Sequence, residues 1–202
     1  MIPGIEKGLV LTLVTALSLL VQASERPQVD TIQIATKSKP PRIYTIEKPV
    51  EFESTIHIGT EEDSDQYDVK IALSNKKLKL KLEQRYETSL SVQDEGPHLD
   101  LVQWKHFVSD WVEVLPRKAG IYRSLLISQE EANRFPSIEL SSVLDEIKRQ
   151  DPNWLNVVKN AKSIRDYPFS IGVSTVSFRI SVFTGNKWIP VHVVHCLHPM
   201  GC

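Results

Sequence analysis

The last eleven residues, HVVHCLHPMGC, hold His192, His195, His198 and both cysteines of the chain, Cys196 and Cys202. Imidazole and thiolate are the side chains that zinc and copper prefer, so such a tail has the chemistry to fold around a metal ion. If residues 188–196 form a strand, however, His192 and Cys196 share a face with Trp188 while His195 points to the other. That leaves His195, His198 and Cys202 as the set able to meet beyond the strand end. The preferred reading is a Cys196–Cys202 disulfide that closes a short loop and ties down the tail. On that reading no cofactor is needed, and zinc or copper belongs to the alternative. Cys196 is also the thiol with a histidine two residues away, but closeness in an extended strand does not supply the contact an activated nucleophile requires.

Three further groups carry charge or proton-transfer chemistry. His98 and Asp100, in the run Gly96-Pro97-His98-Leu99-Asp100, are near enough for an ion pair or acid–base work. Asp100 is better explained as a helix N-cap, with Gln103 three residues on. A hairpin turn at Gly185-Asn186 would set Phe183 opposite Trp188, Ser181 opposite Pro190 and Arg179 opposite His192. A cation beside an imidazole keeps it neutral, which suits an anion or metal pocket, and a one-residue slip in register would erase the pairing. Candidate ligand-binding residues are therefore His98, Asp100, Arg179 and His192. Lys77, Lys79 and Lys81 alternate along one stretch; they read as a solvated strand face before they read as a grip on a polyanion.

The elements that must position these groups follow from hydrophobic period. Residues 24–42 are polar and proline-rich, an extended leader with a short edge strand at 31–35. Alternation of period two then runs through 50–58, 67–73, 78–82 and 86–92, with the acidic Glu61, Glu62, Asp63 and Asp65 as a turn, and implies an antiparallel meander. Leu101, Trp104, Val108, Trp111 and Leu115 recur at spacings of three and four, which predicts a helix over about 100–115 with both tryptophans in the core. Ser128 before Glu130 and Glu131 suggests a helical turn, and a helical region is expected over about 141–162, reopened at Asp151-Pro152. Residues 171–196 return to period two and form the clearest hairpin. The expected fold is α+β: a largely antiparallel sheet, helices packed on one face, and a C-terminal β-hairpin, all within one domain at 43–202.

Address and charge narrow the function classes. Residues 8–21 are apolar and the chain turns polar at Ser24, the pattern of a signal peptide over 1–23, and too short for the roughly 20 residues a membrane-spanning helix needs. A periplasmic or secreted location follows, and the lack of an N-x-S/T site favours the periplasm. The net charge of −1 gives no overall pull towards nucleic acid or anionic lipid. No phosphate loop, dinucleotide fingerprint, lipase elbow or HExxH is present. The expected function is a non-catalytic binding or accessory protein, of inhibitor or immunity type, whose partner is another extracytoplasmic protein. The alternative is a small metal-dependent or thiol hydrolase using the C-terminal cluster. The two are separated by whether His98 or Asp100 meets His192, His195 or His198 in one cleft.

Overall fold

The computed structural model describes residues 29–59 and 66–200, so the expected signal peptide, the expected turn at Glu61–Asp65 and Cys202 lie outside the described residues. Two sheets face each other. In the first, β1 (Val29–Thr36) is hydrogen-bonded between β2 (Ile43–Glu47) and β4 (Tyr67–Leu73), and β10 (Ile121–Arg123) and β9 (Pro116–Lys118) continue it beyond β4, antiparallel throughout. The strand expected at an edge is thus an interior one, with Ile32 and Ile34 completely buried. The second sheet runs β3 (Glu53–His57), β12 (Lys187–Leu197), β11 (Phe169–Thr184), β5 (Leu80–Gln93), and only the β3–β12 pair is parallel. The α+β class and the β11–β12 hairpin are as the sequence implies. The meander is not: β4 and β5, adjacent in sequence, cross from one sheet to the other.

The predicted helix over 100–115 is replaced by three short strands, β6 (His98–Asp100), β7 (His106–Val108) and β8 (Val112–Val114), each paired with β5. The fourteen residues of β5 present a long row of backbone donors and acceptors on that side. Satisfying them outweighs a helical spacing whose members Val108 and Leu115 are in fact exposed. The predicted helices elsewhere do form. Ser128 caps α1 (Gln129–Ala132) through a capping box with Glu131, and α2 (Leu140–Gln150) and α3 (Leu155–Val158) flank a 3-10 turn opened by Asp151 and Pro152.

Two apolar clusters result. Ile32, Val69, Tyr67 and Tyr122 of the first sheet meet Leu82, Phe178, Ile180 and Val194 of the second. Leu90, Val92 and Phe169, farther along β5 and β11, meet Val143, Ile147 and Val158 of the helical layer. The even residues of β5 serve both clusters, so the helices lie on the same face of the second sheet as the first sheet does. Strand β11 keeps an apolar inner face across both because a bulge at Ser174 shifts its parity, from Phe169 and Ile171 to Val176 and Phe178. Among the described residues no helix is long and apolar enough to cross a membrane.

Candidate functional site

The described C-terminal residues do not gather. Cys196 sits inside β12, opposite Val176 and Ile56, completely buried in the inter-sheet core as a free thiol. The expected Cys196–Cys202 disulfide is therefore corrected: this side chain points into the sandwich, where burial pushes the thiol pKa up to about 12 and holds it protonated. His192 is also on the inner face, where Nδ1 donates to the Glu51 carbonyl at 3.1 Å and leaves a buried Nε2 with no partner. His195 points outward, sharing a 2.8 Å hydrogen bond with Ser177, its Nε2 3.8 Å from the Glu53 carboxylate. His198 turns inward again to share a 2.8 Å hydrogen bond with the Tyr67 hydroxyl, and burial pushes its pKa down to about 4. His195 and His198 thus lie on opposite faces, and Cys202 is outside the described residues. Among the described residues no group of three or more His, Cys, Asp or Glu side chains is placed to hold a metal ion.

The Arg179–His192 pairing does not form either. Phe183 faces Trp188 and Ser181 faces Pro190 as the turn predicts, but an extra residue, Val191, then slips the register, so Ile180 faces His192 and Arg179 faces Val193. Arg179 instead joins the outer face of the second sheet. There its Nε bonds Glu83 at 3.0 Å, Lys81 reaches the same carboxylate at 3.2 Å, and Trp111 lies against the guanidinium groups of both Arg179 and Arg85. Trp111 is therefore a lid on a charged face rather than a core residue. Burial raises the Glu83 pKa, and the hydrogen bonds from Arg179 and Lys81 more than reverse that, for a net lowering. Glu83→Gln, which removes the charge both cations share, is expected to lower unfolding free energy by about 1–2 kcal/mol in urea titration at pH 7. An unchanged midpoint would show the network to be ornamental.

His98 and Asp100 do pair, at 3.5 Å, but on a strand rather than at a helix start. Burial pushes the Asp100 carboxyl up, against the opposing pull of His98 and the Met200 amide. The Met200 side chain lies against Gly172 of β11. The pair stands at the Gln93 end of β5, whereas His195 is level with Ser177 and Arg85. At strand rise Asp100, opposite Ser91, and His98, opposite Gln93, stand roughly 20 and 27 Å along β5 from that level, so the acid–base pair and His195 do not share a cleft.

The structure instead shows a site that the sequence reading missed. On the inner face of β5, polar Gln84, Tyr86 and Thr88 interrupt the apolar row between Leu82 and Leu90. The Gln84 amide pairs with the Leu125 backbone in both directions, at 3.1 and 2.7 Å, and the Thr88 hydroxyl donates to the Arg134 carbonyl. Segment 125–134 is thereby strapped to β5 at both ends and arches over Tyr86. Beneath the arch lies a cavity of about 310 Å³, open beside β7 and β8 and ringed by Val108, Val112, Leu125 and Leu126. All four are exposed, Leu126 at 66%. The Tyr86 hydroxyl at its floor is buried with no acceptor for its own proton, and the Arg134 guanidinium lies on the oxygen's other side as its polar neighbour. Burial, with Glu131 also near, pushes the tyrosine pKa up, so the hydroxyl remains a donor. Glu131 itself is engaged by the Ser128 amide and hydroxyl at 2.9 and 2.8 Å.

No family model matches the chain, and no curated protein and no solved structure matches it.

Proposed function

We propose that this chain is a non-catalytic binding protein that recognises a segment of another protein at the arch over Tyr86. The observation that carries this reading is the combination of four exposed aliphatic side chains around a cavity whose buried floor hydroxyl has no acceptor for its proton. Exposed aliphatics clustered at a concavity favour an apolar anchor from a partner. A buried donor beside a guanidinium favours an acceptor, either a main-chain carbonyl or a carboxylate adjacent to that anchor. The apolar run at 8–21 supports placing the encounter in the periplasm or outside the cell, with another extracytoplasmic protein rather than nucleic acid as partner. The hydrolase alternative has less support, because its histidines and thiol are divided between two faces of one sheet.

Selection of a random peptide display library on the full chain tests the reading. Enriched peptides are expected to share an apolar residue next to an acidic or C-terminal one. Leu126→Glu should weaken a synthesised representative by at least about tenfold, and Tyr86→Phe, which deletes only the donor, by about three- to tenfold. Enrichment without a shared pattern, or equal affinity for both variants, would overturn the proposal.

A further inference from the structure

A second cleft opens at the other end of the sandwich, where the turn between β4 and β5 stands across from the β9–β10 hairpin and Trp188. It measures about 650 Å³, and its walls include Ile71, Leu73, Leu78, Leu80, Tyr122 and Trp188. This is the inter-sheet core continued to the surface: Ile71, Leu73 and Tyr122 belong to the apolar cluster between the sheets, and Leu78 and Leu80 pack against it. The Tyr122 hydroxyl is directed to the Leu80 carbonyl, and no buried side-chain polar atom on its walls lacks a partner, so nothing inside calls for a polar ligand group. Among the described residues, the charged side chains lining the cleft are both lysines, Lys76 and Lys79, and both are exposed.

An apolar interior with cations at the rim separates the two ends of a ligand. The arch over Tyr86 has the reverse arrangement, with aliphatic side chains outside and a donor at the floor, so the two clefts select different chemistry. We infer that the inter-sheet cleft binds a free medium-chain aliphatic carboxylate, the chain inserted between the sheets and the carboxylate held by Lys76 and Lys79. The inserted chain would remove from water the apolar surface that these walls now present. Trp188, 39% exposed at the rim and packed edge-on against Phe183 at 5.4 Å, then lies along the first carbons. The alternation of lysines from 77 to 81 conceals this division of labour. Lys81 is drawn to Glu83 on the strand, whereas Lys79 precedes β5 and lines the cleft, its Nζ 6.0 Å from the centre of the Phe183 ring on which Trp188 packs.

The test is isothermal titration of the full chain with dodecanoate below its micelle concentration, and in parallel with dodecanol. Dodecanoate is expected to bind one to one with micromolar affinity. Lys76→Glu combined with Lys79→Glu should weaken it at least about tenfold, through lost charge-assisted bonds, while leaving dodecanol within about twofold. Both replacements are on the surface, and Ala119→Trp, which adds bulk to an exposed wall residue, should reduce binding of both ligands. Absence of dodecanoate binding, equal affinity in the lysine double variant, or association seen only with anionic vesicles would each overturn the inference. None of these outcomes bears on peptide binding at the arch, which is a separate cavity.

Discussion

Replacing Phe178 with alanine is expected to remove about 3–5 kcal/mol of unfolding free energy, the range for a large aromatic deleted from a packed core. Phe178 lies in the middle of β11, completely buried, and meets Tyr67 of β4 edge-on at 5.9 Å. Its ring therefore joins the two sheets rather than filling space within one. The backbone on either side is fixed by pairing to Gln84 of β5 and Val194 of β12, which limits how far the walls can close over the void. A cavity that cannot collapse falls at the upper end of the range. Leu126→Ala, by contrast, changes an exposed residue and is expected to stay within about 0.5 kcal/mol. Urea titration of both variants measures the difference. A loss below about 1 kcal/mol for Phe178→Ala would mean that the two sheets are not packed through this residue.

The same strand shows what a sequence of this kind discloses. The hairpin was legible because Gly185 and Asn186 both take positive φ, the requirement of the tight turn that matches strand twist, and their neighbours alternate cleanly. Two single-residue bulges, at Ser174 and Val191, were not legible. Each reverses which side chains face inward, and Val191 moved His192 away from Arg179 although the turn itself was placed correctly. Segment 100–115 misled for a different reason. Its apolar spacing fits a helix, and only the unpaired edge of β5, the strand just before it in the chain, makes three short strands the better solution. The arch was hidden for a related one: Gln84 and Thr88 acquire their roles from Leu125 and Arg134, more than forty residues away. A local signal did exist, in the polar Gln84, Tyr86 and Thr88 on an otherwise apolar parity of β5. Polar residues on a buried strand face need partners, and asking which segment supplies them is the step that would have found the site.

Acid is expected to weaken the fold well before the carboxylates titrate, and His198 supplies the largest share. Its folded pKa is about 4, below the ordinary histidine value of 6.5, because burial disfavours the imidazolium. Burial lowers the His192 pKa too. As pH falls from about 6.5 towards 4, the unfolded chain takes up protons that the folded chain excludes, so stability drops across that window. Above it both states are neutral at these rings, and the contribution is constant. The shift at His198 corresponds to about 3 kcal/mol at full effect, less whatever its partly exposed ring retains from solvent. Glu83, Glu131, Glu146 and Asp68 have lowered pKa values and add to acid destabilisation only below their ordinary range near 4, while Asp100, shifted upward, opposes it slightly. Between pH 6.5 and 5 the histidines therefore act almost alone. Urea midpoints taken at pH 7.5, 6 and 5 should fall steadily for the native chain. His198→Asn loses the bond to Tyr67 and starts from a lower level, so the slope with pH is the quantity to compare. That slope should become markedly shallower, with the remainder coming from His192. A native midpoint that does not move between pH 7.5 and 5, or a His198→Asn slope equal to the native one, would place His198 in water rather than against the inter-sheet core.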